Sequence, residues 1–210
     1  MNCDLPQHLA ERLARPRPGP TPDPRFDLRP WPLHLIEPPD NARSAAVLLL
    51  LYLRESGWHL PLTLRPADLA DHAGQVSLPG GAVEAGETSA QAAIREFHEE
   101  LGDDGQPIRL LGSLSTLYIP SSNYRVTPWV AAADRPPIFV RNPTEVEEVL
   151  EVPLAHLLDP ANLGSHPRQF LGQEFVAPHF AYQTHRIWGA TCRILGEFVT
   201  LLEDIPVGEL

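Results

Sequence analysis

Residues 81–103 read GAVEAGETSAQAAIREFHEELGD, and this stretch predicts a helix with well-marked ends. Thr88, followed three residues later by Gln91, has the form of a capping box, so the helix is predicted to begin at Ser89. Gly102 stands where a glycine with positive φ commonly ends a helix. Apolar residues between these ends recur every three or four positions and predict a stripe that faces the core: Ala90, Ile94, Phe97 and Leu101.

Three glutamates, Glu96, Glu99 and Glu100, lie on another face of the same helix. Like charges within one turn repel each other, and Arg95 offsets only part of the repulsion, chiefly through Glu99. A solvated acidic face is one explanation of such a cluster. However, the cluster follows the glycine pair at 80–81, which lets backbone approach a ligand closely. Because hard carboxylate oxygens suit Mg²⁺ or Mn²⁺, the sequence predicts a site for one of these cations.

The composition limits the classes of function. The 210 residues include 16 Lys+Arg and 27 Asp+Glu, a net charge of −11, and every one of the 16 basic residues is arginine. Without lysine, Schiff-base chemistry and the phosphate-loop NTPase motif are excluded. The negative charge argues against a nucleic-acid partner. The two cysteines lack a C-x-x-C spacing, and the apolar run at 45–53 is too short to cross a bilayer. We expect a cytoplasmic protein without a membrane partner.

Proline marks off the N-terminal part of the chain. Ten of the 24 prolines fall within the first 39 residues, which predicts an extended arm over residues 1–43 and a folded domain over residues 44–210. A short helix is predicted at about residues 6–14. The arm can lie over its own domain or cross to a second subunit, so a homodimer stays open. A poorly ordered leader is the other interpretation of its first 25 residues.

The body of the chain alternates predicted strands and helices. Residues 45–53 are apolar on both faces, as in a central strand that is covered on both sides. Further strands are predicted at residues 58–64, 76–83, 108–117, 125–132 and 146–152, with a hairpin over 169–175 and a closing helix over 187–202. The two long helices enclose a mostly β stretch, which predicts a mixed β-sheet between helices, in the α/β (α+β) class.

The acidic helix and the loop before it resemble the Nudix box, G-x5-E-x7-R-E-U-x-E-E-x-G-U, where U is a bulky apolar residue. The matching residues are Gly81, Glu87, Arg95, Glu96, Phe97, Glu99, Glu100 and Gly102, and the one departure is Asp103 at the last U. The resemblance implies the Nudix α/β/α sandwich with a mixed sheet. It also implies an enzyme, a pyrophosphohydrolase that cleaves a nucleoside diphosphate linked to another moiety.

By this resemblance, the box glutamates Glu96, Glu99 and Glu100 hold the divalent metal and are catalytic. The Gly80 carbonyl is an additional candidate ligand. Arg95 is implied to orient the glutamates, and its role is catalytic in that sense.

The resemblance also implies roles for glutamates outside the cluster. Glu87 is implied to stabilise the junction of loop and helix behind the metal ligands. Glu145 and Glu148 follow a loop beyond the box, from which Nudix enzymes often take a further metal ligand or a general base. Glu145 is the favoured candidate, and a solvated glutamate at a strand edge is the alternative.

Residues 62–81, LTLRPADLADHAGQVSLPGG, resemble the signature of the coenzyme A pyrophosphatase branch, L-L-T-x-R-[SA]-x3-R-x3-G-x3-F-P-G-G. The matching residues are Leu62, Thr63, Arg65, Gly74, Pro79, Gly80 and Gly81, and the departures are Pro61, Pro66, Ala70 and Leu78. The resemblance implies that substrate is bound by Arg65, His72, Gly80 and Gly81. Ala70 replaces an arginine and removes a charge-assisted contact with a phosphate.

The expected activity is metal-dependent cleavage of coenzyme A or its thioesters to 3′,5′-ADP and 4′-phosphopantetheine. The partner is then a small-molecule nucleoside diphosphate derivative. Ala70 keeps open a Nudix pyrophosphatase for another such compound, for example ADP-ribose or NADH. A non-catalytic module that senses a nucleotide is the third hypothesis, and the complete set of box glutamates argues against it.

Overall fold

The computed structural model describes residues 5–15, 23–27, 37–67, 74–170, 172–203 and 205. The helices are α1 Leu5–Leu13, α2 Ser89–Leu101, α3 Leu154–Leu158 and α4 Gly189–Leu202, and a 3-10 turn covers Pro160–Asn162. The strands are β1 Arg43–Arg54, β2 Gly57–Leu64, β3 Val76–Ser77, β4 Gly80–Ala82, β5 Ile108–Ser113, β6 Leu117–Ile119, β7 Tyr124–Ala133, β8 Glu148–Pro153, β9 Leu163–Phe170, β10 Gln173–Tyr182 and β11 His185–Trp188. None of the described helices is long and apolar enough to cross a membrane.

The large sheet is built around β1. Its strand order is β3-β2-β1-β7-β5, with β4 paired to β1, β6 to β7 and β8 to β2. β1 runs parallel to β7 and antiparallel to β2 and β4, so the sheet is mixed, as predicted. A separate antiparallel sheet contains β9, β10 and β11.

The alternation of side chains along β1 divides the core into two layers. Leu49 and Leu51 belong to the cluster that contains the buried residues of α4. Leu48, Leu50 and Tyr52 point the other way and belong to the cluster that contains the buried face of α2. A helix therefore covers each face of the sheet, which confirms the predicted α/β/α sandwich and explains why β1 is apolar on both faces.

The start of α2 is predicted correctly by its local sequence signals, whereas the start of α4 is not. α2 begins at Ser89 with the predicted capping box, in which Thr88 Oγ1 accepts a hydrogen bond from the Gln91 N–H at 3.3 Å. The predicted start of the closing helix was wrong, because residues 185–188 form β11 instead, paired with β10. Gly189, with φ of 68°, makes the transition from this strand to α4.

The described parts of the N-terminal arm pack on the domain of their own chain. α1 forms close to where the sequence predicts it, and Leu13 contacts Gly112 of β5, where a Cβ atom would lie 2.7 Å from the Leu13 Cβ. Phe26 stacks on Phe180 with ring centroids 5.5 Å apart. The Phe26 ring also lies so close to Gly196 that any side chain there would collide with it. Residues from both arm segments are thus part of the hydrophobic core.

Candidate metal and active site

The glycine pair of β4 fits between β1 and the acidic helix. Gly80 pairs with Val47 and Gly81 with Ala46. A Cβ atom on Gly80 would lie 2.3 Å from the Ala46 carbonyl oxygen, and a Cβ atom on Gly81 would lie 2.4 Å from the carboxyl carbon of Glu96. Both distances are far below van der Waals contact. Gly80 is therefore required for β4 to pair closely with β1, and Gly81 leaves the space in which the Glu96 carboxylate lies against the strand.

Arg95 connects the acidic helix with the loop that precedes it. Its Nη1 donates to Glu96 Oε1 at 3.0 Å and to Glu99 Oε2 at 3.1 Å. Its Nη2 donates to Glu87 Oε1 at 2.8 Å and to the Ala82 carbonyl at 3.0 Å, while Nε donates to Glu87 Oε2 at 3.2 Å. These bonds, the one to Glu87 above all, raise the pKa of Arg95. One guanidinium thus holds three carboxylates in a defined arrangement.

Glu87 forms a hydrogen bond within the loop and also connects the loop to α2. Besides its two bonds with Arg95, its Oε1 accepts the backbone N–H of Glu84 at 2.6 Å. The hydrogen bonds from Arg95 and from this N–H lower the pKa of Glu87, so its carboxylate stays ionised. Arg95 and the Glu84 N–H bind both carboxylate oxygens of Glu87, so this residue supports the loop and does not face a ligand.

Glu100 is buried, with only 4% of its surface exposed, so the solvated acidic face is a wrong interpretation for this residue. Its Oε2 atom has no hydrogen-bond partner among the described residues. Burial, together with the negative charges of Glu145 and Glu96, raises the pKa of Glu100 to about 8. The positive charge of Arg65 and the Gly80 backbone N–H oppose these effects.

The burial of Glu100 comes from how α2 is rotated on the sheet. Ala92 and Ala93 are fully buried, whereas Ala90 and Ile94 of the predicted stripe are only half-buried. The two small alanines let the helix lie close to the sheet on the side of the glutamates. The core-facing surface therefore extends toward Glu100, and the predicted stripe was wrong in its first half.

Glu145 belongs to the same group of charges as the box glutamates. Its carboxylate accepts a hydrogen bond from Asn142 Nδ2 at 3.2 Å, and the Asn142 N–H in turn donates to the Glu100 carbonyl at 2.8 Å. Its negative charge raises the pKa of both Glu100 and Glu96, although burial is the largest cause for each. Glu148 instead lies 3.9 Å from His185, away from this group. Of the two candidates in this loop, the structure brings Glu145 to the acidic helix.

Comparison with known proteins agrees with this geometry. The model of the NUDIX domain family matches residues 42–172, more than half of the chain. The chain belongs to the Nudix hydrolase family. The acidic helix and its loop are therefore a Nudix box, and the chain is a Nudix pyrophosphohydrolase, an enzyme that depends on a divalent metal cation.

The most similar relatives include bacterial and eukaryotic members. The protein called "Uncharacterized Nudix hydrolase NudL" from Photorhabdus laumondii is 38% identical over 168 residues, which cover 78% of this chain and 89% of the relative. "Nudix hydrolase 15, mitochondrial" from Arabidopsis thaliana is 34% identical over 172 residues, 78% of this chain and 60% of the relative. "Nudix hydrolase 3" from Caenorhabditis elegans is 28% identical over 184 residues, 80% of this chain and 77% of the relative.

The side chains at the Nudix box fit a divalent cation. Glu100 Oε2 is buried without a partner in the described part of the chain, and a partner is needed because an isolated carboxylate in an apolar setting is costly. Across the residues that the structure describes, no three His, Cys, Asp or Glu side chains already converge as ligands. Glu96 and Glu99 are bonded to Arg95 instead. The oxygen donors available here are those that Mg²⁺ and Mn²⁺ prefer.

Not every feature of this site was predicted from the sequence. His72 and Ala70, on which the substrate hypothesis depends, lie outside the described residues. Arg65 has a buried Nε atom without a hydrogen-bond partner in the described part of the chain, and its charge acts on Glu100. The contribution of Asn142 was missed, although the Asn-Pro pair at 142–143 is a recognisable turn signal.

Proposed function

We propose that this Nudix hydrolase cleaves the pyrophosphate bond of coenzyme A or its thioesters, with Mg²⁺ or Mn²⁺ as cofactor. The products are 3′,5′-ADP and 4′-phosphopantetheine or its acylated form. We further propose a cytoplasmic location, where the free, buried thiol of Cys192 stays reduced. The net charge of −11 favours a small-molecule substrate over a nucleic acid.

The observation that carries the proposal is the position of Arg65. This arginine belongs to the segment that resembles the coenzyme A signature, and its positive charge acts directly on Glu100. Its buried Nε has no acceptor among the described residues, so its hydrogen is available to a ligand. A phosphate oxygen is a suitable acceptor, since guanidinium groups bind phosphates with two parallel hydrogen bonds. The coenzyme A segment and the Nudix box therefore meet at one place.

The chain supplies the other groups that the reaction needs. When bound, a divalent cation neutralises the pyrophosphate oxygens and lowers the pKa of water. Glu96, Glu99 and Glu100 would hold this cation, and Arg95 keeps the first two in place. Glu145 accepts the proton of the attacking water as general base. The water oxygen forms a bond to one phosphorus, and the bridging P–O bond breaks, leaving its electron pair on the departing phosphate.

Ala70 is the reason to consider a second class of substrate. Where the coenzyme A signature has another arginine, this chain has none, and this weakens the contact with a second phosphate group. A Nudix pyrophosphatase for ADP-ribose or NADH is the alternative that this difference favours. A nucleotide sensor without activity is disfavoured, because the box retains Arg95 and all three glutamates.

The deciding experiment compares turnover of coenzyme A, acetyl coenzyme A, ADP-ribose and NADH by the full chain, with Mg²⁺, with Mn²⁺ and with EDTA. We expect the highest kcat/KM for coenzyme A or its thioester, with 3′,5′-ADP identified by mass. A higher kcat/KM for ADP-ribose or NADH would support the alternative instead. If none of the four compounds is hydrolysed in the presence of metal, the catalytic proposal is wrong.

A further inference from the structure

One face of the three-stranded sheet gathers basic and aromatic side chains. His179 of β10 pairs with Gly164 of β9 and with Trp188 of β11. Cross-strand partners, and residues two positions apart on one strand, share a face of a sheet. By this register a single face carries the residues that we call the His–Arg face: His166, Arg168, His179, Arg186 and Trp188.

The side chains of the His–Arg face are packed against each other. The Nδ1 atoms of His166 and His179 lie 3.1 Å apart, within hydrogen-bond distance. The edge of His166 meets the ring of Trp188 with centroids 5.9 Å apart, and the Arg168 guanidinium lies 4.4 Å above the Trp188 ring centroid. A Cβ atom on Gly164 would lie 2.9 Å from His179 Cε1, so this position has to be glycine for the ring to fit. The arrangement is preorganised rather than a set of loose surface side chains.

The His–Arg face carries positive charge that no carboxylate among the described residues neutralises. Among the described residues, neither Arg168 nor Arg186 forms a salt bridge with a carboxylate. Burial lowers the pKa of His166, and the charges of His179, Arg186 and Arg168 lower it further. His179 is affected in the same way by burial and by Arg186. The lowered pKa values favour neutral histidines, so the positive charge of the face comes from Arg168 and Arg186, in a chain with a net charge of −11.

We propose that the His–Arg face binds a phosphomonoester. A dianionic phosphate accepts hydrogen bonds from two guanidinium groups and from the histidine pair, and it supplies the negative charge that the face lacks. The cation–π contact with Trp188 restrains the Arg168 guanidinium at the face. A metal ion is excluded as occupant, since only two histidines are present and the adjacent arginines repel a cation.

The phosphomonoester has two conceivable sources, and the position of the sheet favours the substrate. β11 packs against β3, and Thr191 Oγ1 donates to the Val76 carbonyl of β3 at 3.4 Å. β3 lies two residues before the glycine pair of the Nudix box. If coenzyme A is the substrate, its 3′-phosphate is a phosphomonoester, and this identification rests on the proposed function. A separate phosphate-bearing ligand is the other source.

The test measures binding in EDTA, where no turnover occurs, by calorimetry on the full chain. The ligands are coenzyme A, dephospho-coenzyme A, which lacks the 3′-phosphate, and inorganic phosphate. We expect coenzyme A to bind at least ~10-fold more tightly than dephospho-coenzyme A, and Arg168→Gln to remove most of this difference. Arg186→Gln should act in the same way. Arg109→Gln, the same change at an exposed arginine of β5, is the matched control and should bind like wild type.

Each outcome decides between the sources or against the site. Equal affinity for the two coenzymes, together with phosphate binding that Arg168→Gln weakens, would assign the face to a separate ligand. If neither the preference for coenzyme A nor phosphate binding depends on Arg168 or Arg186, the inference is overturned. Because no catalysis is measured, failure of the proposed function is seen separately, as absence of turnover with metal in the wild-type chain.

Discussion

The buried carboxyl of Glu100 should control how the stability of the metal-free protein depends on pH. Its pKa is raised from 4.5 in the unfolded chain to about 8 in the fold, so folding favours the protonated form. The corresponding stabilisation is fully present below pH 4.5 and is lost as the pH rises through 8. At about 1.4 kcal/mol for each pKa unit, the loss amounts to roughly 5 kcal/mol of the free energy of unfolding.

Glu100→Gln tests this reasoning, because glutamine has the same shape and stays neutral at every pH. We expect the variant and the wild type to have similar free energies of unfolding near pH 4.5. By pH 9 the variant should be the more stable, by up to roughly 5 kcal/mol. The measurement is urea unfolding in EDTA at half-unit steps from pH 4.5 to 9. Glu99→Gln serves as control, since that side chain is 54% exposed, and it should keep the pH dependence of the wild type.

The reasoning is refuted if Glu100→Gln and the wild type lose stability in parallel over this range. Parallel curves would mean that the carboxyl of Glu100 is solvated in the folded chain, contrary to its 4% exposure. A variant less stable than the wild type at pH 9 would mean that ionised Glu100 has a cationic partner stronger than Arg65.

Four further predictions concern the site and the arm. Glu99→Gln should lower kcat at least ~100-fold without changing the unfolding midpoint, as expected for loss of a metal ligand; wild-type turnover would mean that the metal lies elsewhere. Gly81→Ala should lower kcat/KM at least ~10-fold, because the added methyl displaces the carboxylate of Glu96; unchanged kinetics would contradict the close packing. Mg²⁺ should raise the unfolding temperature more at pH 9 than at pH 6, since Glu100 must lose its proton to bind metal; equal shifts would exclude this coupling. Phe26→Ala should lower the free energy of unfolding by ~3–5 kcal/mol in urea, because the ring is 5% exposed; a loss below 1 kcal/mol would mean that the arm is detached.

The features that were predicted correctly from the sequence are those that depend on residues close together in the chain. The capping box of Thr88 and Gln91 defines the start of α2 by contacts within one turn, and the alternating leucines of β1 require cover on both faces. The rotation of α2 on the sheet depends instead on which tertiary neighbours are present. Ala92 and Ala93 give no strong hydrophobic signal, although their small size determines how closely the helix packs and thereby buries Glu100.

The charges of Arg65 and Glu145 both act on Glu100 because of strand pairing, which periodicity alone does not reveal. Arg65 comes directly after β2, and Glu145 comes shortly before β8. These strands pair antiparallel, with Leu64 opposite Glu148, and the Glu147 N–H donates to the Leu64 carbonyl at 2.8 Å. Residues 80 positions apart are thus brought to one end of the sheet beside α2. The family resemblance favoured Glu145, but the physical reason for its position appears only in the fold.

Phe26 packs against α4, and both lie outside the region that the family model matches. The part of the chain that folds as one unit is therefore longer than the part that resembles the family. The similarity to the family model spans residues 42–172, whereas α4 begins at Gly189 and the buried ring of Phe26 precedes the match. A fragment limited to the matched region would lack Phe26 and the buried residues of α4, which belong to the same core cluster as Leu49 and Leu51, and it would expose part of that cluster to water. We expect such a fragment to be less stable than the full chain and more prone to aggregate. Transplanting this catalytic module into another protein therefore requires the arm and the closing helix as well as the Nudix box.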